Sequence, residues 1–322
     1  MSGINQRKAY RAPYWLRGGH AQTIYPLLLK GATPAYRRER WNTPDGDFID
    51  LDWVDGPPAA PLVILFHGLE GNSRSHYART LMRAVKRYEW CGVVPHFRGC
   101  SGEANLAPRA YHSGDYREID WVLRRLQERF PNRRRFVAGV SLGGNALLKW
   151  LGRCGESAVG IVEAAASVCA PLDLAVAGEA LDRGFNREVY TRRFLNTLKP
   201  NALAKARRYP GLLDPQRVAD ARTMFEFDDA VTAPLHGFRG TEDYWMRASS
   251  KPWLRRIRVP TLIINALNDP FMPSFALPSS KQVSKYVSLE YPAEGGHAGF
   301  VSGWFPGTLQ WLPQRLMTFF SH

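Results

Sequence analysis

The most informative stretch of the sequence is the pentapeptide Gly139-Val140-Ser141-Leu142-Gly143. An apolar run at 136–140 precedes Ser141 and a helical pattern at 145–151 follows it, so the serine lies at a strand-to-helix turn. A serine at so sharp a turn is strained, and glycines two positions away on either side relieve the crowding. Its hydroxyl then lies at a helix N-terminus, whose free N–H groups stabilise negative charge. The pattern predicts a nucleophilic serine; the strand and helix around it disfavour the alternative, a glycine–serine turn without chemistry.

Short apolar runs alternate with amphipathic helical patterns on both sides of this turn. Such alternation predicts parallel strands joined by crossover helices, and hence an α/β fold with a mostly parallel central sheet flanked by helices. The predicted strands are 61–66, 90–95, 136–140, 160–168, 261–265 and 286–291. The predicted helices are 75–87, 115–130, 145–151 and 309–320.

The alternation stops between about residues 172 and 258. The composition there becomes rich in arginine and aromatic residues, with no strong strand candidate, which indicates a helical lid inserted into the core. We therefore predict an α/β core at 45–171 and 259–322, a lid at 172–258, and an amino-terminal extension at 1–44 that packs on the core. Apolar lid residues are candidates for an acyl pocket, with ordinary lid packing as the alternative: Phe185, Tyr190, Phe194, Leu195, Leu198, Trp245, Met246 and Trp253.

Two later loops supply partners for the serine. In this architecture the acid and the base follow the nucleophile in chain order, each on a loop after a later strand. Asp269 lies just beyond the run that ends at Asn265, and His297 lies in a glycine-flanked loop just beyond the run that ends at Tyr291. We predict a catalytic triad of Ser141, Asp269 and His297.

Two backbone N–H groups are the candidates for an oxyanion hole. The first follows the nucleophile, at Leu142, and the second lies in the loop after the first predicted strand, at Leu69. Glycines in the loop 67–71 allow the backbone to approach a substrate carbonyl. We interpret His67 as a residue that shapes this loop rather than as a second base.

Composition excludes several other classes of protein. The 322 residues are 45% hydrophobic and 22% charged, which is typical of a folded globular protein. The net charge is +14, but most of the basic residues are arginines spread along the chain, so we expect no nucleic-acid partner. The four cysteines lack metal-ligand spacing, the amino terminus lacks the apolar core of a signal peptide, and no apolar run is long enough to span a membrane. We therefore expect a cytoplasmic protein without metal or organic cofactor.

The motifs together resemble the α/β-hydrolase family, and more narrowly its YheT-like branch, relatives of the eukaryotic ABHD lipases and esterases. The resemblance rests on Pro13-Tyr14-Trp15-Leu16, Gly19-His20-Ala21-Gln22-Thr23, His67-Gly68-Leu69-Glu70-Gly71, Arg98-Gly99-Cys100-Ser101-Gly102, Pro108-Arg109-Ala110-Tyr111-His112, Gly139-Val140-Ser141-Leu142-Gly143-Gly144-Asn145, Asn268-Asp269-Pro270-Phe271 and Gly295-Gly296-His297. It implies an enzyme that acts on short-chain esters or acylglycerols. No histidine is followed by an aspartate five positions later, so the His-x4-Asp acyltransferase motif of some relatives is missing.

The residues and the resemblance favour a serine hydrolase that cleaves an ester or lipid substrate through an acyl-enzyme. A thioesterase or amidase with the same triad stays open, because the fold does not fix the leaving group. So does a non-catalytic protein of this fold that binds an anionic partner, although such a protein has no need of all three triad residues. Substrate-binding residues, peripheral membrane contact, oligomeric state and the role of the element 19–23 are left open.

Overall fold

The computed structural model describes residues 9–29 and 31–322. The stretch 1–8, interpreted above as lacking a signal peptide, lies outside the described residues, and the predicted extension 1–44 is described in part. Among the described residues, no helix has the length and apolarity to cross a bilayer.

One sheet of eight strands forms the centre of the described chain, in the order β1-β2-β4-β3-β5-β6-β7-β8. Strands β3 to β8 pair in parallel, whereas β1 and β2 are antiparallel to their neighbours. The strands are β1 Arg37–Asn42, β2 Phe48–Val54, β3 Leu62–Phe66, β4 Cys91–Pro95, β5 Arg135–Val140, β6 Ala164–Val168, β7 Thr261–Ile264 and β8 Val287–Glu290. The predicted mostly parallel sheet is confirmed.

The helices are α1 Gly19–Ile24, α2 His76–Arg87, α3 Tyr116–Arg129, α4 Leu142–Cys154, α5 Leu174–Leu181, α6 Gly184–Asn186, α7 Arg192–Arg208, α8 Pro215–Asp220, α9 Met224–Phe227, α10 Ala233–His236, α11 Thr241–Ala248 and α12 Trp311–Phe320. Two π-helical turns, Arg187–Thr191 and Asp228–Thr232, interrupt the helices between β6 and β7. Pro313 lies in the first turn of α12, where its missing N–H leaves no intrahelical bond unmade.

Two apolar cores lie on opposite faces of the sheet. Helices α3 and α4 cover one face, and α2 and α12 cover the other. In α3 the buried residues Ile119, Val122, Leu123 and Leu126 recur at helical spacing, which places one apolar stripe against the strands. A separate apolar cluster fills the interior of the segment 195–231, between β6 and β7.

The apolar pattern missed β1 and β2. Strand β1 lies inside the segment 1–44 that the sequence assigns to an extension, yet it is an edge strand of the sheet. Strand β2 is fully buried although it contains Asp50 and Asp52, residues that strands usually avoid. Their carboxylates accept hydrogen bonds from Arg40 and Arg38, which lie directly opposite on β1. These cross-strand pairs make a polar sequence compatible with a buried strand.

Candidate active site

Ser141 occupies the strained turn between β5 and α4. Its backbone has φ 53° and ψ −123°, and a positive φ is rare for a residue with a side chain. A Cβ atom at Gly139 would lie 2.5 Å from the Gly143 carbonyl oxygen, and one at Gly143 would lie 2.5 Å from the Phe66 carbonyl oxygen. Both glycines are therefore required by close backbone packing, as the sequence predicts.

His297 and Asp269 meet at the carboxyl ends of β8 and β7. The His297 Nδ1 atom lies 2.9 Å from Asp269 Oδ2 and 3.1 Å from Oδ1. The carboxylate is buried and also accepts the backbone N–H of Phe271 at 2.8 Å. The Phe271 ring stacks on the imidazole, with centroids 4.1 Å apart. Contacts on two sides thus fix the orientation of the imidazole ring.

Ser141 and His297 line one cavity of about 560 Å³ together with Leu69 and Leu142. Within the described residues no direct hydrogen bond joins the Ser141 hydroxyl to the imidazole, which is common in unliganded sites. The cavity brings the serine, the histidine and both predicted oxyanion residues to a single space, and Asp269 lies behind the histidine.

Tyrosine hydroxyls order the loop that carries Leu69. The Gly68 N–H donates to Tyr77 Oη at 2.9 Å, and the Glu70 N–H donates to Tyr111 Oη at 2.8 Å. Between them the Leu69 N–H has no hydrogen-bond partner in residues 9–29 and 31–322. Tyr111 lies in the motif 108–112, which has no recognisable role in the site from the sequence alone.

The Leu142 N–H is the first of α4 and is likewise without a partner in the described chain. A helix leaves its first N–H groups unpaired, so this donor is available to a ligand. Both predicted oxyanion donors therefore adjoin the cavity with their hydrogen-bonding capacity unused.

His67 has the structural role that we expected. Its Nε2 accepts the Phe97 N–H at 3.0 Å, and its Nδ1 donates to the Gly68 carbonyl oxygen at 2.8 Å. Complete burial lowers the pKa of His67 to about 3, so the ring stays neutral. Arg98, in the motif 98–102 after β4, is also buried and donates to Glu118 and Asp47. These hydrogen bonds join the loop after β4 to α3 and to the turn before β2.

Cys169 lies next to the acid and the base. Its sulfur accepts the Ala298 N–H at 3.2 Å, and ligand atoms of Cys169, Asp269 and His297 lie within 4.8 Å of one another. Burial, with a smaller effect of Asp269, raises the pKa of the thiol well above its ordinary value. A protonated thiol is a poor metal ligand. We therefore interpret Cys169 as a hydrogen-bonding partner that supports the histidine loop, and not as a metal ligand.

Gln22, in the element 19–23 that the sequence left unexplained, joins three segments. This completely buried side chain donates to the Leu16 carbonyl oxygen at 2.8 Å. Its Oε1 accepts the Gly295 N–H at 2.6 Å and the Asn268 Nδ2–H at 3.3 Å. Gln22 thus joins the loop of the acid to the loop of the base.

The side chain of Thr23, the next residue, contacts the backbone of His297 directly. The His297 N–H donates to Thr23 Oγ1 at 2.9 Å, and the same hydroxyl donates to the Gly19 carbonyl oxygen at 2.7 Å. The packing leaves no space for a side chain, because a Cβ atom at Gly19 would lie 1.9 Å from the Asn268 carbonyl oxygen. Helix α1 is therefore built into the site.

The segment between β6 and β7 supplies much of the apolar lining of the cavity. Of the lid residues proposed from the sequence, Phe194, Leu198 and Trp245 line it. The other five do not: Phe185, Tyr190, Leu195, Met246 and Trp253. Leu195 packs within the lid cluster, and Met246 is exposed.

Comparison with known proteins agrees with this architecture. The family model described as "alpha/beta hydrolase fold" matches residues 61–303. The chain belongs to the α/β-hydrolase family. This hydrolase is 41% identical over 305 residues to "Putative esterase YheT" of Escherichia coli (strain K12), which covers 92% of the chain and 88% of that protein. It therefore falls in the YheT-like branch.

More distant similarities agree with the same assignment. The hydrolase is 30% identical over 310 residues to "Phospholipase ABHD3" of Mus musculus, which covers 93% of the chain and 75% of that protein. Among solved structures, the Pyrococcus furiosus esterase Pf2001 superposes with a TM-score of 0.57 at 15% identity, over 91% of this chain and 96% of that one. The structural likeness shows the shared fold.

Proposed function

We propose that this hydrolase cleaves carboxylic esters through a covalent acyl-enzyme. The observation that carries the proposal is the His297–Asp269 pair, 2.9 Å apart, whose histidine lines the same cavity as the strained Ser141. The names of its relatives, an esterase and a phospholipase, support an ester as the substrate.

In the proposed reaction Ser141 Oγ attacks the acyl carbonyl carbon while His297 accepts the hydroxyl proton. Asp269 holds the imidazole with Nδ1 protonated and stabilises the imidazolium that forms. The N–H groups of Leu69 and Leu142 donate to the oxyanion. His297 then returns the proton to the leaving alcohol, and a water activated by the same residue hydrolyses the acyl-enzyme.

The proposed acyl site is the apolar part of the cavity. Its walls include Phe194, Leu198, Trp245, Phe227 and Val231, which suit the chain of a short ester or of an acylglycerol. We propose that the segment 172–258 acts as the cap over this site, since its apolar cluster is separate from the two cores of the sheet.

We also propose a cytoplasmic location, which the four free cysteines support.

A fluorophosphonate probe, mapped by mass spectrometry, tests the activated serine without assuming a substrate. We expect an adduct on Ser141 in the wild type and none in Ser141→Ala. In His297→Ala we expect labelling to fall by roughly a hundredfold or more, because the general base is lost. Exposed Ser157 offers a control, and Ser157→Ala should label like the wild type. No adduct on folded wild-type protein would contradict the proposal and favour a binding protein.

Substrate class is then read from matched oxygen esters, thioesters and amides of increasing acyl length. We expect oxygen esters to be cleaved with the highest kcat/KM. A clear preference for thioesters or amides would retain the triad and overturn the assignment as a carboxylic ester hydrolase.

A further inference from the structure

A cluster of exposed aromatic side chains lies beside the catalytic histidine loop. Trp304 is 81% exposed, Phe305 is 74% exposed and Tyr14 is 70% exposed. The rings touch: Tyr14 and Trp304 have centroids 6.1 Å apart, and Trp15 and Phe305 have centroids 5.4 Å apart. Tyr25 packs against Trp15 at 5.2 Å. We name this group of Tyr14, Trp15, Tyr25, Trp304 and Phe305 the aromatic platform.

Hydrogen bonds hold the backbone of the platform in place. The Trp15 indole N–H donates to the Gly303 carbonyl oxygen at 3.1 Å, and the Tyr25 hydroxyl donates to the Pro306 carbonyl oxygen at 3.0 Å. Ser302 and Thr308 close the loop with two backbone hydrogen bonds of 2.8 and 2.9 Å. The exposure of Trp304 and Phe305 is therefore built into a pinned loop. Large exposed apolar groups held in this way mark an interaction surface.

The sequence around the platform carries positive and no negative charge. No aspartate or glutamate occurs before Glu39 or after Glu294, so both segments that build the platform lack acids. Arg11 and Arg17 are exposed in the amino-terminal segment. Tryptophan and tyrosine favour the boundary between lipid headgroups and acyl chains, and arginine is attracted to anionic headgroups. The exposed leucines 27 and 28 extend the apolar surface from the end of α1.

We propose that the aromatic platform docks this hydrolase reversibly on an anionic lipid bilayer. A second copy of the chain is the less favoured occupant, because a two-fold contact through this surface would place like arginine charges together. Docking would bring the side of the molecule that bears His297 to the lipid. The His297 N–H donates to Thr23, two residues before Tyr25, and the loop 302–308 follows the histidine loop. The inference needs no catalytic step, so it can fail or hold independently of the proposed function.

Co-sedimentation with vesicles tests the docking. The vesicles contain phosphatidylcholine alone or phosphatidylcholine and phosphatidylglycerol in equal parts, and the protein carries Ser141→Ala to prevent turnover. We expect binding to the mixed vesicles, weaker binding to neutral ones, and loss of binding at high salt. In the same background Trp304→Ser with Phe305→Ser should weaken binding by roughly tenfold or more, since two exposed rings are removed. The control Tyr286→Ser removes an exposed aromatic ring outside the platform, just before β8. It shows whether the loss of any exposed ring weakens binding.

A second variant tests the charge separately. Arg11→Glu with Arg17→Glu should abolish the preference for phosphatidylglycerol and keep the aromatic rings. Circular dichroism shows whether each variant is folded, and in an otherwise wild-type Ser141 background the platform variants should react with a fluorophosphonate like the unaltered chain. Failure of the protein to bind mixed vesicles at low salt, or equal binding by the Trp304/Phe305 variant, would overturn the proposal. A concentration-dependent dimer that this variant abolishes, without vesicle binding, would assign the surface to self-association.

Discussion

Thr23 shares one hydroxyl between α1 and the backbone of His297. It accepts the His297 N–H at 2.9 Å and donates to the carbonyl oxygen four residues earlier, at Gly19. We infer that Thr23 is a positioning residue, because it contacts only the backbone of the base and does not line the cavity. Small displacements of a general base reduce the rate of proton transfer more than substrate binding.

Thr23→Val keeps the shape of the side chain and removes the hydroxyl. We expect kcat on p-nitrophenyl butyrate to fall by roughly tenfold with KM nearly unchanged, and Thr23→Ser to restore most of the rate. Thr80 offers a matched control, because this buried threonine also donates to a carbonyl oxygen four residues earlier, at His76, but does not bond the His297 backbone or line the cavity. Equal losses of kcat in Thr23→Val and Thr80→Val would show a general structural effect and contradict the inference.

The sequence predicts Ser141, Asp269 and His297 as site residues because each follows a strand of the sheet. Parallel strands bring their carboxyl ends to one edge, so local motifs suffice to predict that the three lie together. Gln22 and Thr23 have no such signal. Their partners Gly295 and His297 lie more than 270 residues away in the chain, and no local periodicity encodes that contact. The sequence identifies the motif 19–23 as part of the family resemblance but gives no physical role for it.

Strands β3 to β7 could be predicted because their residues are mostly apolar and are buried. The apolar run 286–291 also predicted β8, although this edge strand is only partly buried. Strands β1 and β2 could not be predicted in this way, because both contain charged residues. The aspartates of β2 are buried because arginines of the neighbouring strand β1 pair with them. Asp52 also accepts hydrogen bonds from Ser73 and pairs with His96, and these bonds lower its pKa against the opposing effect of burial. Such partners lie in separate parts of the chain, so a pattern of hydropathy along one strand does not reveal them.

The π-helical turn Asp228–Thr232 contains a buried carboxyl group beside the cavity. Asp228 accepts hydrogen bonds from the Thr232 hydroxyl at 2.6 Å and from the Trp245 indole N–H at 2.8 Å. Burial outweighs these bonds and raises the pKa of Asp228 to about 7. A raised carboxyl pKa stabilises the fold fully at acidic pH, and the stability is lost as the pH rises through the folded pKa.

Asp228→Asn removes this titration and retains one acceptor and one donor group. We expect the wild type to lose about 2 kcal/mol of unfolding free energy, relative to the variant, between pH 5 and pH 8. Urea denaturation of both proteins at pH 5, 6, 7 and 8 measures the difference. Parallel stability profiles would show that Asp228 does not titrate in this range.

Asn145 of α4 connects the α/β core to the inserted helices. This completely buried side chain, on the nucleophile helix α4, donates to the Ser113 and Ala248 carbonyl oxygens and accepts the Ser250 N–H at 2.9 Å. One amide therefore joins the loop before α3 to the chain just after α11. The local sequence predicts the helix that carries Asn145, but the partners come from two other parts of the chain.

We predict that the inserted helices and the sheet unfold as one cooperative unit because they share these buried hydrogen bonds. Asn145→Ala leaves buried backbone groups unpaired and should lower the free energy of unfolding by about 2–4 kcal/mol. Calorimetry should show a single transition that moves to lower temperature, with tryptophan fluorescence and far-ultraviolet circular dichroism coincident. The control Gln127→Ala removes a partly buried side chain whose hydrogen bond to the Gly160 carbonyl oxygen is exposed to solvent, and should change little. A separate early transition in Asn145→Ala, seen by one probe alone, would show that the insertion unfolds independently.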